Sequence, residues 1–148
     1  MRWIKEIMLL CIFVVVSEAQ TNACTVSAIG LNFGDYERNR HSESIGTVSV
    51  TCGAGVSFAV KLSPGQRSGG TFHPRKLGGI GGADMINYNL YRNAALTEIW
   101  GDGAGNTFIQ TGVGTNTETR FRVYGRIPAG QNVKSGFYSD SVTVTVEW

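Results

Sequence analysis

Residues suited to catalysis or metal binding are scarce in this chain. It contains two histidines and three cysteines, and charged residues make up 16% of its 148 residues. Neither His41 nor His73 stands beside a carboxylate and a nucleophile in an arrangement that would activate one of them. No Gly-x-Ser-x-Gly sequence and no motif of paired carboxylates occurs. We therefore expect no enzymatic activity, no metal and no cofactor.

Helical signals are equally rare. No stretch of ordinary helix length repeats apolar residues three and four positions apart, whereas valine, threonine, serine and aromatic residues are frequent and 20 residues are glycine. This composition predicts an all-β domain with many turns. The net charge of +2 is too small to indicate a nucleic-acid partner. Two glycine-rich segments, residues 78–84 and 102–106, have too few carboxylates for a calcium site and are interpreted as turns.

The longest apolar run is too short to cross a bilayer. Residues 7–16 form an apolar run of ten, preceded by basic residues and followed by small residues at a cleavage position. This pattern is typical of a secretory signal peptide and not of a membrane span. We predict a signal peptide at residues 1–19, one domain at residues 20–148, and export from the cytoplasm. A second cleavage position follows Ala23.

The cysteines fit an exported protein. Cys11 lies in the predicted signal peptide, which leaves Cys24 and Cys52 as an even pair. Such a pair in an oxidising compartment predicts a disulfide, and no histidine or carboxylate stands at a spacing that would favour a metal site instead. Closing a loop of about 28 residues should stabilise the fold by about 3–4 kcal/mol.

Alternating apolar and polar residues predict six or seven short strands. Strands at this spacing indicate a β-sandwich, and the polar residues 34–44 are expected to form an exposed connection. The clearest strands are predicted at residues 24–28 (continued by 31–33), 47–52, 56–62, 85–91, 107–110, 119–127 and 139–148.

The last of these strands has the most regular alternation. One face carries the apolar side chains and the other face the polar ones, which is the pattern of a strand with one buried face. No other segment of the chain stands out as a partner for its second edge, so we expect another chain to cover that edge. The apolar face consists of Val142, Val144, Val146 and Trp148, and the polar face of Ser141, Thr143, Thr145 and Glu147.

A second set of side chains of one parity is basic. These residues would line the outer face of the strand predicted at residues 119–127, and they could contact an anionic surface or glycan. The alternative interpretation is an ordinary solvated face, flanked by Glu118. The set consists of Arg120, Arg122, Tyr124 and Arg126.

Several segments together carry a family resemblance. Spread over nearly all of residues 20–148, they resemble the spore coat protein U family, which includes subunits of archaic (Csu-type) chaperone–usher pili. The segments are Cys24-Thr25-Val26, Leu31-Asn32-Phe33-Gly34, Val48-x-Val50-x-Cys52, Ile86-x-Tyr88-x-Leu90-Tyr91, Trp100-Gly101-Asp102-Gly103, Tyr124-Gly125-Arg126-Ile127-Pro128-Ala129-Gly130-Gln131 and Gly136-x-Tyr138-x-Asp140-x-Val142-x-Val144-Thr145-Val146-x-Trp148.

The resemblance implies an incomplete immunoglobulin-like β-sandwich that lacks its last strand. In that family a periplasmic chaperone first fills the gap, and a donor strand from a neighbouring pilin subunit replaces it at the outer-membrane usher. The resemblance therefore implies a structural pilus subunit at the cell surface. The groove for the donor strand would be lined by Val26, Val142, Val144, Val146 and Trp148.

The sequence departs from the family in the segment between the predicted cleavage site and Cys24. Polymerising members carry an alternating N-terminal extension there, and this extension is the donor strand. Residues 20–23 would span only about 13 Å and show no apolar alternation. The resemblance then implies a subunit that accepts a strand without donating one, which suits the tip of a pilus. The alternative is a secreted spore-coat-like or surface-binding module outside a pilus.

Overall fold

All regular secondary structure in the described residues is β-strand. A computed structural model describes residues 2–9, 23–82 and 84–148. No helix that could span a membrane occurs among these residues. The strands are β1 (Arg2–Leu9), β2 (Cys24–Ile29), β3 (Ser42–Cys52), β4 (Ser57–Leu62), β5 (Arg75–Gly79), β6 (Met85–Tyr91), β7 (Gln110–Val113), β8 (Glu118–Ile127) and β9 (Tyr138–Glu147).

Most strands lie where alternation predicts them, and the exceptions have physical reasons. β3 begins at Ser42, inside the segment expected to be a connection, because Ser42 pairs with Ile127 of the long strand β8. β5 extends into a glycine pair for which the sequence predicts a turn, since Gly78 pairs with Met85 of β6. The predictions of strand at residues 31–33 and at residues 107–109 are wrong, although Phe108 makes a single bridge with Trp100.

The strands form one continuous antiparallel path that folds into two facing layers. Its order is β2-β3-β8-β6-β5-β9-β4-β7, with β1 attached to β9. One layer contains β2, β3, β8 and β6, the other contains β9, β4 and β7, and β5 pairs with both β6 and β9. The prediction of an all-β, immunoglobulin-like sandwich is confirmed.

The core lies between the two layers and is centred on aromatic side chains. The ring of Phe121 on β8 packs edge-on against Phe58 on β4 and against Trp100, with ring centroids 6.2 Å apart in both pairs. Trp100 is fully buried, and its indole Nε1 donates a 3.0 Å hydrogen bond to the carbonyl oxygen of Val60. The layers are therefore held together by aromatic ring contacts and by a hydrogen bond from Trp100.

The predicted disulfide is confirmed and joins the first two strands of its layer. Cys24 and Cys52 face each other in the antiparallel register of β2 and β3, and both are buried. Their Cα atoms are 4.0 Å apart. The bond therefore fixes β2 to β3 at the position where β2 begins.

The N-terminal strand corrects one expectation from the sequence. β1 pairs with β9 along eight residues, so the expectation that no segment of this chain would pair with the last strand is wrong for the uncleaved chain. Residues 10–22, which include the rest of the predicted signal peptide and its cleavage position, lie outside the described residues. Removal of residues 1–19 stays a prediction.

Candidate functional site

The candidate site is the strand slot, defined as the edge of β9 opposite β4 together with the neighbouring strand β2. Residues 144–147 of β9 pair with both β4 and β1, so these two strands lie on opposite edges of β9. β1 also runs beside β2 of the facing layer. The slot therefore lies between the two layers, and in the uncleaved chain Arg2–Leu9 occupies it.

The inner wall of the slot is the apolar face of β9. Val142, Val144 and Val146 are at most 1% exposed, and Trp148 is partly buried against the same core. The polar side chains between them are only partly buried. The alternation read from the sequence thus predicts the burial of this strand correctly.

The opposite wall is less completely covered. Val26 on β2 is partly buried and packs against the core, whereas Cys24 and Ala28 on the same face are buried. The five residues predicted to line a donor-strand groove therefore all pack against one core. Their function in binding a donor strand stays a prediction.

The main-chain N–H and C=O groups of successive β9 residues are directed to opposite edges of the strand. Both the N–H and the C=O of Thr143 bond to Ser63, which follows β4: Thr143 N–H donates to the Ser63 hydroxyl at 2.9 Å, and Ser63 N–H donates to the Thr143 carbonyl at 2.9 Å. In an antiparallel strand, successive residues direct these groups to opposite edges. The main-chain groups of Val142 and Val144 are therefore directed to the slot.

A cluster of buried polar side chains, the polar cluster, lies near the beginning of β9. It consists of Asp140, Tyr88 and Arg75. Asp140 shares the inward parity of the valines and is 3% exposed. Its carboxylate accepts hydrogen bonds from the Tyr88 hydroxyl at 2.7 Å and from the backbone N–H of Gln66 at 2.9 Å. Gly65, with φ of 84°, passes so close to this carboxylate that a Cβ would overlap it. The loop after β4 is thereby attached to β9.

Arg75 on β5 completes the polar cluster. Its fully buried guanidinium donates to the carbonyl oxygen of Ser63 at 2.7 Å, to the carbonyl oxygen of Trp100 at 2.7 Å and to Oδ1 of Asn89 at 2.9 Å. Burial lowers the pKa of Arg75 to about 10, so the side chain remains a cation at neutral pH. One cation therefore joins three segments that are distant in the sequence.

Burial raises the pKa values of the two acidic groups in the cluster, Tyr88 and Asp140. Desolvation raises the pKa of the Tyr88 hydroxyl, and the charge of Asp140 adds to the shift. Desolvation also raises the pKa of Asp140, although the hydrogen bond from Tyr88 and the bond from Gln66 oppose it. The cluster is fully hydrogen-bonded and closed to solvent, which suits a structural function. Sequence analysis missed it, although Asp140 is the one charged residue of inward parity in the last strand.

The four residues of the basic set lie on the outer face of β8, on the side away from the core. Arg120 forms a 3.0 Å ion pair with Glu118, and Arg126 donates to Glu43 at 2.7 Å. No carboxylate of the described residues lies within ion-pair distance of Arg122. Beside it, exposed Ile45 is in register with Tyr124. The face is thus less cationic than its sequence indicates.

The two histidines bond to backbone atoms in loops. Nδ1 of His41 accepts a hydrogen bond from the Ala129 N–H at 3.2 Å, and Nε2 of His73 donates to the carbonyl oxygen of Gly105 at 2.6 Å. Across the residues that the structure describes, no three His, Cys, Asp or Glu side chains are grouped to hold a metal ion.

These features define a class of protein: an immunoglobulin-like β-sandwich whose final strand pairs, on one edge, with a strand from the opposite end of the chain. The chain belongs to the Spore Coat Protein U domain family, which it matches over residues 11–145. The family resemblance read from the sequence is confirmed.

Two known proteins illustrate the similarity. Protein U of Myxococcus xanthus is 29% identical over 127 residues, which are 78% of this chain and 70% of that protein. A chain in the crystal structure of the CsuC–CsuE chaperone–tip adhesion subunit pre-assembly complex, from the archaic chaperone–usher Csu pili of Acinetobacter baumannii, superposes with a TM-score of 0.61 at 22% identity. The match covers 84% of this chain but only 39% of that one, and at this identity it shows a shared fold.

Proposed function

We propose that this protein is a structural, non-enzymatic subunit of an archaic chaperone–usher pilus, and that the strand slot accepts a donor strand from a neighbouring pilin subunit. The observation that carries the proposal is the pairing of β9, on the edge opposite β4, with a separate strand along eight residues. Family membership and the fold shared with a chain of a chaperone–subunit complex support it.

The energetics of the slot suit strand addition. An incoming strand would take main-chain hydrogen bonds from β9 and place alternate side chains against Val142, Val144 and Val146. Burying about five apolar side chains contributes on the order of 10 kcal/mol before the cost of ordering the strand. An unfilled slot would leave an apolar strand edge exposed, which favours aggregation.

The proposal implies an exported protein with three partners. After cleavage of the predicted signal peptide, a periplasmic chaperone would fill the slot, and the outer-membrane usher would exchange the chaperone for a pilin donor strand. We place the subunit at the tip, because the predicted cleavage site leaves only residues 20–23 before Cys24, too few to serve as a donor strand. The subunit needs no cofactor for this function.

The experiment is co-expression, in the periplasm, with a chaperone of an archaic chaperone–usher pilus from the same source as the protein. We expect a stable one-to-one complex and aggregation of the subunit expressed alone. Val26→Asp places a charge in the wall of the slot and should abolish the complex, whereas Ser27→Asp, on the exposed face of the same strand, should leave it intact. A lone subunit that is soluble and folds cooperatively without a chaperone would contradict the proposal.

The second candidate is a secreted spore-coat-like or surface-binding module outside a pilus. The name of the matched family, the Spore Coat Protein U domain, favours it, as does the outer face that carries Arg122 and Tyr124. This function needs no chaperone and would leave the slot filled within the molecule or by a second copy. The co-expression experiment therefore separates the two candidates.

A further inference from the structure

The register between β1 and β9 has the form expected of a donor strand. The two strands are antiparallel, and Trp3, Lys5 and Ile7 stand opposite Val146, Val144 and Val142. Residues opposite each other in an antiparallel pair lie on the same face of the sheet. Of the three residues of β1 in register with the buried valines, Trp3 and Ile7 are apolar residue types.

We propose that Arg2–Leu9, which occupies the strand slot, closes the uncleaved chain to donor strands, and that removal of residues 1–19 opens the slot. This inference rests on the proposed function, since it assigns a first occupant to the same slot. Cleavage of the signal peptide then both releases the protein and creates the binding-competent form.

One register position makes this occupant easy to displace. Lys5 stands in register with Val144, which is fully buried, and an apolar residue type suits such a register position better than a charged one. A strand with an apolar residue at the same position would bind better. The internal strand therefore closes the slot more weakly than an all-apolar donor strand would.

The test uses the uncleaved chain, refolded with its disulfide and with Cys11→Ser in every variant. The probe is a fluorescent peptide with the sequence of residues 2–9, and its dissociation constant is measured by anisotropy. Ile7→Asp, opposite Val142, should release β1 and tighten peptide binding by about tenfold or more. Met8→Asp is the matched control, because Met8 stands opposite Ser141 on the other face of the sheet.

A third variant should weaken peptide binding instead of tightening it. Lys5→Leu should strengthen the internal strand and weaken peptide binding by about tenfold or more relative to the parent. Misfolding cannot produce this pattern of one gain, one loss and one unchanged control. Backbone amide exchange of residues 140–147 provides a second readout: it should be faster in Ile7→Asp and slower in Lys5→Leu.

The outcomes separate this inference from the proposed function. If the parent binds the peptide as tightly as Ile7→Asp does, and its β9 amides exchange rapidly, the internal occupant is refuted while the slot remains a strand acceptor. If Ile7→Asp frees the β9 amides but no variant binds the peptide, the slot does not accept strands, and both proposals fail.

Discussion

The hydroxyl of Tyr88 on β6 donates a 2.7 Å hydrogen bond to Oδ2 of Asp140 on β9, inside the sandwich. These two strands belong to different layers, and they are joined directly by this bond and indirectly through β5. A buried acceptor that loses its donor pays the cost of desolvation without compensation. The bond should therefore contribute to the stability of the strand that forms the slot.

Removing the Tyr88 hydroxyl should destabilise the protein. We expect Tyr88→Phe to lower the free energy of unfolding by about 1–3 kcal/mol, because Oδ2 of Asp140 would remain buried without this donor. Urea denaturation of the uncleaved chain, followed by tryptophan fluorescence, measures the change. Tyr124→Phe, on the outer face of β8, is the control and should change the value by less than about 0.5 kcal/mol. Equal effects would contradict the importance of the buried bond.

The raised pKa of Asp140 predicts a pH dependence of stability. The folded protein holds the Asp140 proton more tightly than the unfolded chain, whose carboxyl titrates near 3.8. This group therefore makes stability fall as the pH rises from about that value through the raised pKa of the folded state. Asp140→Asn should remove this component from the curve of unfolding free energy against pH. Identical curves for the variant and the parent would refute the prediction.

Loss of the buried cation at Arg75 should be more costly. Arg75→Met removes the guanidinium donor from the carbonyl oxygens of Ser63 and Trp100 and leaves Oδ1 of Asn89 with the Leu90 N–H as its donor. We expect a loss of about 3 kcal/mol or more. Chemical denaturation compares this variant with Lys76→Met, the adjacent residue on the more exposed face of β5. A loss for Arg75→Met below about 1 kcal/mol would show that the cluster is dispensable.

The Cys24–Cys52 disulfide should stabilise the domain through its closed loop. Cys24→Ser combined with Cys52→Ser should lower the free energy of unfolding by about 3–4 kcal/mol in the loop-entropy estimate. The measurement is denaturant unfolding of the uncleaved chain without reductant, with Cys11→Ser in the double variant and Cys11→Ser alone as the control. A double variant as stable as the control would contradict the estimate.

On the outer face of β8, Arg122 should contribute more than Arg120 to attachment to an anionic surface. Arg122→Ser should weaken attachment to vesicles that contain anionic lipid by about 1 kcal/mol, or about fivefold, at low salt. Arg120→Ser should have a smaller effect, because the guanidinium of Arg120 is already paired with Glu118. Sedimentation with vesicles measures both. Unchanged attachment of the Arg122 variant would remove this face as an anionic-surface contact.

The alternation of apolar and polar residues along the sequence predicts which face of a strand is buried, but not which distant segments meet in the core. The buried face of the last strand is predicted correctly because side-chain parity decides it. The disulfide is predicted correctly because Cys24 and Cys52 are the pair that remains outside the predicted signal peptide. The sequence did not reveal Arg75 as a core residue, since its acceptors Ser63, Asn89 and Trp100 come from three separate segments. It also did not reveal β1, because Lys5 interrupts the apolar residue types at the register positions opposite the buried valines.

The bounds of the β1–β9 pairing determine how long an incoming strand should be. Pairing with β1 covers residues 140–147, and the preceding two residues of β9 pair with β5. An added strand matched to this stretch has eight residues and a length of about 27 Å. Because β5 already pairs with Tyr138 and Ser139, apolar residues of the added strand beyond the eighth should add little affinity.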